Sequence, residues 1–250
     1  GQERLLSIVK TPKMDREGNI EYIICTAEDI TQQKQAEEKL KTYTRHIEHD
    51  LHKKHISLLK AQSIQQHLIP KTLPNIPDIN LASYYMPSEE IGGDFMEIRQ
   101  MENKVIVIIA DCTGHGIEAS LDSVLLRSVV DRFPHFLAEN QTDKFLHALN
   151  NDIHDYFSGE NFLTIFVSVI DTKTKEMVYS NANNEMPYLI NKGEVEQLPR
   201  AEGFHIGYER NQTYEKKSYF LQPGDLLLFY SDSIREIRTT GGSMLGESGL

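Results

Sequence analysis

The segment from Phe162 to Asp171 limits the possible folds most, because it has the pattern of a β-strand with two apolar faces. Both faces of this strand are largely apolar. One face carries Leu163, Ile165, Val167 and Val169, and the other carries Phe162, Phe166 and Ile170. Successive side chains of a strand point to opposite faces, so a strand of this kind is covered on both sides. We therefore expect stacked sheets with helices on the outside.

The region from Asn80 onward alternates further predicted strands with two predicted helices. The strands are predicted at Lys104–Ala110, Glu176–Asn183, Tyr214–Leu221 and Asp225–Tyr230. The helices are predicted at Glu118–Phe133 and Thr142–Tyr156. In the first helix, apolar residues recur at helical spacing: Leu121, Leu125, Val129 and Phe133. This mixture of elements predicts an α+β domain.

Residues 1–30 have the pattern of two strands around a hairpin loop at Asp15–Asn19. Two strands do not form a stable domain alone, so we interpret them as the end of a larger domain inside which this chain begins. Residues 31–68 contain no Gly or Pro and are rich in Glu, Lys, Gln and Leu. They predict one long helix, for which Asp29 or Thr31 is the expected cap.

A heptad pattern runs along this predicted helix, with seam positions at Leu40, Thr44, Ile47, Leu51, Lys54, Leu58, Ala61, Gln65 and Leu68. Six of these nine positions are apolar. The pattern favours a homodimeric coiled coil, and the alternative is a single amphipathic helix packed on its own domain. Prolines at 70, 74 and 77 end the helix. We therefore divide the chain into residues 1–30, a helical linker at 31–69, and a third domain at 70–250.

The composition argues against several classes of protein. Cys25 and Cys112 are the only cysteines and lie far apart, which predicts a reduced, cytoplasmic protein without a disulfide framework. A net charge of -11 argues against a nucleic-acid partner. No run of 18 apolar residues is present, so we expect no membrane contact from these residues.

Three aspartates occupy similar places near the ends of predicted strands. Asp94 follows Gly92-Gly93, Asp111 directly follows the strand ending at Ala110, and Asp232 comes two residues after the strand ending at Tyr230. Buried carboxylates are costly unless they are paired or bind a metal, and Mg²⁺ and Mn²⁺ prefer oxygen ligands. The alternative is that such aspartates only cap turns or helices. Their shared context favours a metal site.

The longer motifs around these aspartates resemble those of one protein family in order and spacing. They are Ile91–Phe95, Ala110–Ala119 and Leu221–Asp232, preceded by Ala61–Pro70. Together they resemble the SpoIIE/RsbU branch of the metal-dependent protein phosphatases, the PPM family. The runs Glu28–Thr31 and Ala36–Leu40 resemble the exit of a PAS sensor domain into its signalling helix.

This resemblance implies a four-layer αββα sandwich of two mainly antiparallel sheets and a cleft that binds two Mn²⁺ or Mg²⁺ ions. Asp111 would bridge both ions, with Asp94 serving one and Asp232 the other. The Cys112 backbone carbonyl would contact one ion. The implied activity is hydrolysis of phosphoserine or phosphothreonine by a metal-activated water, without a side-chain nucleophile.

The resemblance also implies a partner and a mode of control. The implied substrate is a phosphorylated STAS-type, anti-anti-sigma protein in bacterial signalling. Control by the PAS sensor would pass through the dimeric helix, whose rotation would reposition Ile64 and Leu68 against the catalytic domain. His115, inside the central motif, is expected to shape its loop rather than to bind metal.

The chain departs from the family pattern at several positions. Glu97 replaces a frequent Asp, Ser233 replaces a Gly whose turn it is expected to strain, and Asn183-Asn184 replaces Gly-His. The family's last acidic motif, on a terminal strand, is absent before Leu250. We interpret this absence as a C-terminal truncation. The alternative hypothesis is a non-catalytic pseudophosphatase that acts as a partner-binding switch.

Overall fold

The computed structural model of the protein describes residues 4–68, 72–87, 91–114, 116–157, 161–237 and 246. The chain divides into two compact units, Gly1–Ser57 and Leu58–Leu250. The boundary between the two units lies inside one long helix. Within the described residues, no helix is both long enough and apolar enough to cross a membrane.

The first unit consists of a β-hairpin followed by the start of the long helix. Strands β1 (Leu6–Met14) and β2 (Ile20–Asp29) pair antiparallel. The turn between them is closed by the Asp15 carboxylate, which accepts hydrogen bonds from the N–H groups of Glu17 at 2.9 Å and Asn19 at 2.8 Å. The two predicted strands and their hairpin loop are therefore confirmed.

Helix α1 spans Thr31–Leu68, as predicted. The Asp29 carboxylate accepts a hydrogen bond from the Thr31 N–H at 3.0 Å, which satisfies one backbone donor at the helix start. The seam residues Leu40, Ile47 and Leu51 are all at least 60% exposed. The chain itself therefore leaves this part of the apolar seam uncovered.

Within the described residues, the second unit contains the end of α1, eight strands and four further helices. In chain order these are β3 (Phe95–Met101), β4 (Lys104–Cys112), α2 (Gly116–Val130), α3 (Pro134–Ala138), α4 (Thr142–Ile153), β5 (Leu163–Asp171), β6 (Glu176–Ala182), β7 (Tyr188–Asn191), β8 (Glu194–Gln197), β9 (Lys216–Phe220), β10 (Leu226–Leu228) and α5 (Ser233–Glu236). A five-stranded sheet has the order β3-β4-β5-β6-β9, and a three-stranded sheet has the order β10-β7-β8. Every strand pair is antiparallel.

Two separate apolar cores hold these layers together, and β5 contributes to both. Its residues Ile165 and Val167 belong to the core between the larger sheet and the helices α2–α4. Its residues Phe166 and Ile170 belong to the core that also contains Leu189 of β7. The two-sided strand therefore confirms the prediction of an α+β sandwich of two antiparallel sheets. Within the described residues, α2–α4 form one outer helical layer, and a second such layer is not formed.

Several details of the fold differ from the sequence predictions. The short strands β3, β7 and β8 and the short helices α3 and α5 were not predicted. Of the apolar residues that recur at helical spacing in α2, Val129 is buried but Leu121 is 61% exposed. The face that packs on the sheet carries Ala119, Leu126 and Val130 instead, because the buried stripe is rotated around the helix.

Candidate metal centre

Asp94 and Asp111 meet because β3 and β4 are antiparallel neighbours. Phe95, the first residue of β3, lies opposite Ala110 of β4. Asp94 comes immediately before this pair and Asp111 immediately after it, so both carboxylates lie at the same edge of the larger sheet. Side chains at such adjacent positions of neighbouring strands are within contact distance.

The Asp94 carboxylate collects hydrogen bonds from residues distant in sequence. Ser231 Oγ donates to Asp94 Oδ2 at 3.0 Å, and Ser233 Oγ lies 3.5 Å from the same oxygen. Burial raises the pKa of Asp94, and the nearby charge of Asp232 raises it further, whereas the bonds from Ser231 and to Asp111 oppose that rise. All three predicted aspartates are therefore brought together, in a place where negative charge is destabilised.

Asp232 does not act as a simple helix cap. It immediately precedes α5 and has helical backbone angles, but its side chain makes no capping hydrogen bond. Ser233 is the first residue of α5, and helical backbone needs no glycine, so the expected strain at Ser233 is wrong. Its hydroxyl instead reaches towards Asp94.

The backbone carbonyl of Cys112 lies against the loop that carries Asp94. A Cβ added to Gly93 would lie only 2.9 Å from Cys112 O and 3.7 Å from Asp111 Oδ1. Only glycine permits this approach, so Gly93 brings the loop next to a carbonyl and a carboxylate. The Cys112 side chain is buried in the helix–sheet core, and this burial raises the pKa of its thiol well above the usual value. A protonated, enclosed thiol is not a nucleophile.

Two further residues hold the Asp94 loop, and neither was predicted. Tyr85 Oη donates a hydrogen bond to the Asp94 carbonyl at 3.4 Å. Burial and the charge of Asp94 raise the pKa of Tyr85 to about 12, so its phenol stays protonated at neutral pH. Gln65, in the last turn of α1, donates to Gly92 O and accepts from Gly92 N–H at 3.1 Å.

Gln65 connects α1 to the loop that carries Asp94. It is buried, and its Nε2 also donates to Ser123 Oγ of α2 at 3.2 Å. Ile64 and Leu68 were expected to contact the domain from this end of the helix. Ile64 is 62% exposed and so does not pack on the domain, while the side chain of Leu68 lies outside the described residues. Helical geometry makes the difference, since Ile64 and Gln65 point about 100° apart.

Asn184 lies near the same sheet edge. Its Nδ2 donates to Thr164 Oγ1 at 2.8 Å, and Thr164 is the residue directly opposite Asp111 in the β4–β5 pair. The preceding residue, Asn183, has a left-handed φ of 56°, a conformation that asparagine tolerates better than most residues. Asn183 therefore occupies a left-handed position that also suits the Gly of the family pattern.

Glu97 belongs to a different cluster from the aspartates. It is buried against α2, where its carboxylate lies 2.9 Å from Arg127 Nη1 and 3.2 Å from Arg99 Nε. Side chains alternate along a strand, so Glu97 faces the helices and Asp94 faces the other way. His115 is outside the described residues.

The chemistry of the donors fits a hard divalent cation. Asp94, Asp111 and Asp232 offer carboxylate oxygens, Cys112 offers a carbonyl and Ser231 a hydroxyl, all of them the oxygen type that Mg²⁺ and Mn²⁺ prefer. The raised pKa of Asp94 marks negative charge that a cation would neutralise. The spacing is not that of a complete ligand set: among the described residues, no three His, Cys, Asp or Glu side chains are arranged to hold one ion.

Comparison with known proteins supports the fold. The family model described as stage II sporulation protein E (SpoIIE) matches residues 101–250, which include Asp111 and Asp232 but not Asp94. Phosphoserine phosphatase RsbU of Bacillus subtilis is 23% identical over 183 residues, which cover 73% of this chain and 54% of the relative. Protein IcfG of Synechocystis is 23% identical over 222 residues, which cover 78% of this chain and 35% of the relative. The chain thus spans about a third to a half of these curated relatives.

Two solved structures share the fold of the second unit. The SiaA-PP2C domain of Pseudomonas aeruginosa aligns with a TM-score of 0.67 and 21% identity, covering 80% of each chain. The PP2C phosphatase domain of SpoIIE from Bacillus subtilis aligns with a TM-score of 0.50 and 21% identity, covering 58% of this chain and 43% of that one. The α+β sandwich is therefore of the PP2C phosphatase type.

Proposed function

The chain belongs to the stage II sporulation protein E (SpoIIE) family, and on that premise we propose that it is a metal-dependent protein serine/threonine phosphatase. The observation that carries the proposal is the meeting of Asp94, Asp111 and Asp232 at one sheet edge, beside the Cys112 carbonyl. Serine and cysteine nucleophiles are not required, which agrees with the enclosed, protonated Cys112 thiol.

The proposed metal ligands are the residues expected from the sequence. Asp111 would be shared between two Mn²⁺ or Mg²⁺ ions, Asp94 would serve one and Asp232 the other, with the Cys112 carbonyl completing one set. When bound, such ions lower the pKa of water and neutralise charge on the phosphoryl group.

The surrounding side chains position these ligands. Ser231 fixes the orientation of the Asp94 carboxylate by donating to its Oδ2, and Tyr85 holds the backbone of the same residue. Gln65 fixes the preceding Gly92 by binding both its N–H and its carbonyl. A loop held at three points keeps its carboxylate aligned with Asp111, which is what an electrostatic site requires.

The substrate we propose is a phosphoserine or phosphothreonine on a STAS-type, anti-anti-sigma partner. The naming of the relative RsbU as a phosphoserine phosphatase supports the phosphoserine part of this proposal. The nature of the partner rests on the family resemblance. We place the reaction in the bacterial cytoplasm.

Regulation would pass along α1 from a PAS sensor, in a dimer formed through the uncovered seam. The contacts of Gln65 support this route, because a rotation of α1 would pull on Gly92, two residues from Asp94. Rotation of a packed helix is a common switching movement. The exposure of Leu40, Ile47 and Leu51 supports a partner helix on the seam.

A second candidate function is a pseudophosphatase that binds its partner without hydrolysis. It is favoured by the incomplete ligand arrangement among the described residues and by Asn184, which stands at a position that departs from the family pattern. Phosphate release distinguishes the two candidates, since a pseudophosphatase would bind the phosphoprotein and leave it phosphorylated.

The test measures Mn²⁺-dependent phosphate release by the full-length protein, with p-nitrophenyl phosphate and a phosphoserine STAS protein as substrates. Asp111→Asn should abolish release from both. Asp171→Asn is the matched control, because Asp171 ends the neighbouring strand at the opposite edge of the sheet, opposite Lys104. Equal rates for the wild type and Asp111→Asn would refute the proposed chemistry.

A further inference from the structure

Four rings form a cluster at the surface of the second unit, which we name the ring platform: Phe162, Phe204, His205 and Tyr208. The His205 ring lies 4.4 Å from the Phe162 ring and 4.9 Å from the Phe204 ring, measured between centroids. Phe204 and Tyr208 are in contact at 5.1 Å. Phe204 is 45% exposed and Tyr208 59%, so aromatic surface that could be buried remains open. Exposed aromatic clusters are typical of protein interaction sites.

The platform is attached directly to the loop that follows Asp111. Thr113 N–H donates to Phe162 O at 3.0 Å, and Phe162 N–H donates back to Thr113 Oγ1 at 3.1 Å. One residue further on, Leu163 and Ile206 exchange both backbone hydrogen bonds, at 3.0 and 2.9 Å. The backbone of Phe162, the first residue of the platform, is therefore bonded to Thr113, which follows the proposed bridging ligand Asp111 by two residues. The platform and this ligand lie at the same edge of the sheet.

The loop that carries the exposed rings is held rigidly on α4. The buried Asn150 accepts a hydrogen bond from Gly207 N–H and donates one to Glu209 O, both at 2.8 Å. His147 Nδ1 lies 2.8 Å from Gln212 O and fixes the end of the same loop. A surface that is already ordered loses little conformational entropy when a partner binds.

The edge of the platform carries polar groups that suit a negatively charged partner. Asn183 Nδ2 lies 2.8 Å from His205 Nε2, and Arg200 Nη1 donates to Asn183 Oδ1 at 3.4 Å. Arg200 is exposed and forms no ion pair with any residue that the structure describes. In a chain of net charge -11, an exposed arginine that no described carboxylate pairs with, at the edge of the platform, favours an anionic partner.

We propose that the ring platform is the docking surface for the phosphoprotein substrate. An apolar side chain next to the substrate's phosphoserine would pack on Phe204 and Tyr208, and Arg200 would face the substrate's negative charge. The inference rests on the proposed function, because it supplies the contact surface of the same reaction. In this scheme the rings bind the substrate protein, and the three aspartates serve the hydrolysis of its phosphate.

The experiment compares two substrates in the full-length protein. The double variant Phe204→Ala/Tyr208→Ala should raise KM for a phosphoserine STAS protein about 10-fold, the scale of losing an interface anchor. It should leave kcat/KM for p-nitrophenyl phosphate within about twofold of the wild type, because exposed side chains away from the reacting atoms change little else. Phe220→Ala is the matched control: Phe220 is similarly exposed, but it pairs with Glu176 at the far end of the sheet.

A binding measurement separates failure of the docking surface from failure of the proposed function. The Asp111→Asn variant is titrated with the phosphoserine STAS protein, with and without the two platform substitutions. Tenfold weaker binding in the substituted protein supports the platform even if the wild type releases no phosphate, in which case the proposed function alone fails. Unchanged binding and unchanged KM, no binding at all, or an equal loss with p-nitrophenyl phosphate would overturn the inference.

Discussion

The ion-pair cluster between β3 and α2 leads to a prediction about stability. The Glu97 side chain is only 3% exposed and lies 3.2 Å from Arg99 Nε and 2.9 Å from Arg127 Nη1. Among the residues that the structure describes, Glu97 Oε2 has no aligned hydrogen-bond partner, so its attraction to Arg127 is that of an ion pair. Replacing Arg127 with Met keeps the apolar stem and removes one of two cations from a buried carboxylate.

The expected cost of Arg127→Met is about 2 kcal/mol of unfolding free energy, below the roughly 3–5 kcal/mol for breaking a fully buried pair. It is lower because Arg99 remains and the Arg127 side chain is 31% exposed. For a unit of this size, about 2 kcal/mol corresponds to a fall in Tm of roughly 4–8 °C. Thermal unfolding followed by far-ultraviolet circular dichroism measures the fall.

A double-mutant cycle with Glu97→Gln tests the physical reasoning. The double variant Glu97→Gln/Arg127→Met should be less destabilised than the sum of the single variants by more than about 1 kcal/mol, because neither charge is left without its partner. Arg132→Met is the control, since Arg132 and Asp152 form an exposed pair at 2.7 Å, for which about 0–1 kcal/mol is typical. Additive effects in the cycle would refute the claim that Glu97 depends on Arg127.

Three further predictions follow from the site and its surroundings. Gly93→Ala should lower the rate of phosphate release on the order of 100-fold, because its Cβ would lie 2.9 Å from Cys112 O and displace the loop; steady-state kinetics with Mn²⁺ measure this. Iodoacetamide at pH 8 should label the exposed Cys25 and spare Cys112, because burial raises the pKa of the Cys112 thiol. Peptide mass spectrometry distinguishes the two sites. Labelling of Cys112 in the native protein would contradict its burial. Burial lowers the pKa of His205 below its usual value of 6.5, so the unfolded chain binds the proton more tightly, and the stability present above pH 6.5 is lost as the pH falls from there through the lower pKa of the folded state. His205→Phe should therefore lessen the fall in Tm between pH 7 and pH 5.

The layers of the fold were predictable because they depend on local patterns. The two apolar faces of β5 require cover on both sides, and that cover is observed in two separate cores. The short strands β7 and β8 were missed because four residues are too few to show a clear alternation, and all four residues of β8 are exposed. The outward position of Leu121 was missed because apolar spacing alone does not tell which side of an apolar helix meets the sheet.

The candidate site was predictable only in part. Asp94, Asp111 and Asp232 lie in motifs with a recognisable order, and the structure brings their side chains together. Tyr85 and Gln65 were missed as supports of the Asp94 loop, because their contacts span gaps in sequence that no local pattern records. Gln65 lies inside the motif Ala61–Pro70, which the sequence already singled out. A polar residue at a seam position in the last turn of the helix was therefore the signal that could have identified it.

The central claim is that Asp94, Asp111 and Asp232 form a divalent-cation site at the edge of the larger sheet. Electron paramagnetic resonance of Mn²⁺ titrated into the full-length protein tests it most directly, because free and bound Mn²⁺ give different signals. We predict saturable binding that weakens about 10-fold or more in Asp111→Asn, the scale seen when even supporting metal contacts are lost. Asp171→Asn should bind Mn²⁺ like the wild type. Identical Mn²⁺ affinity in the wild type and Asp111→Asn would contradict the account.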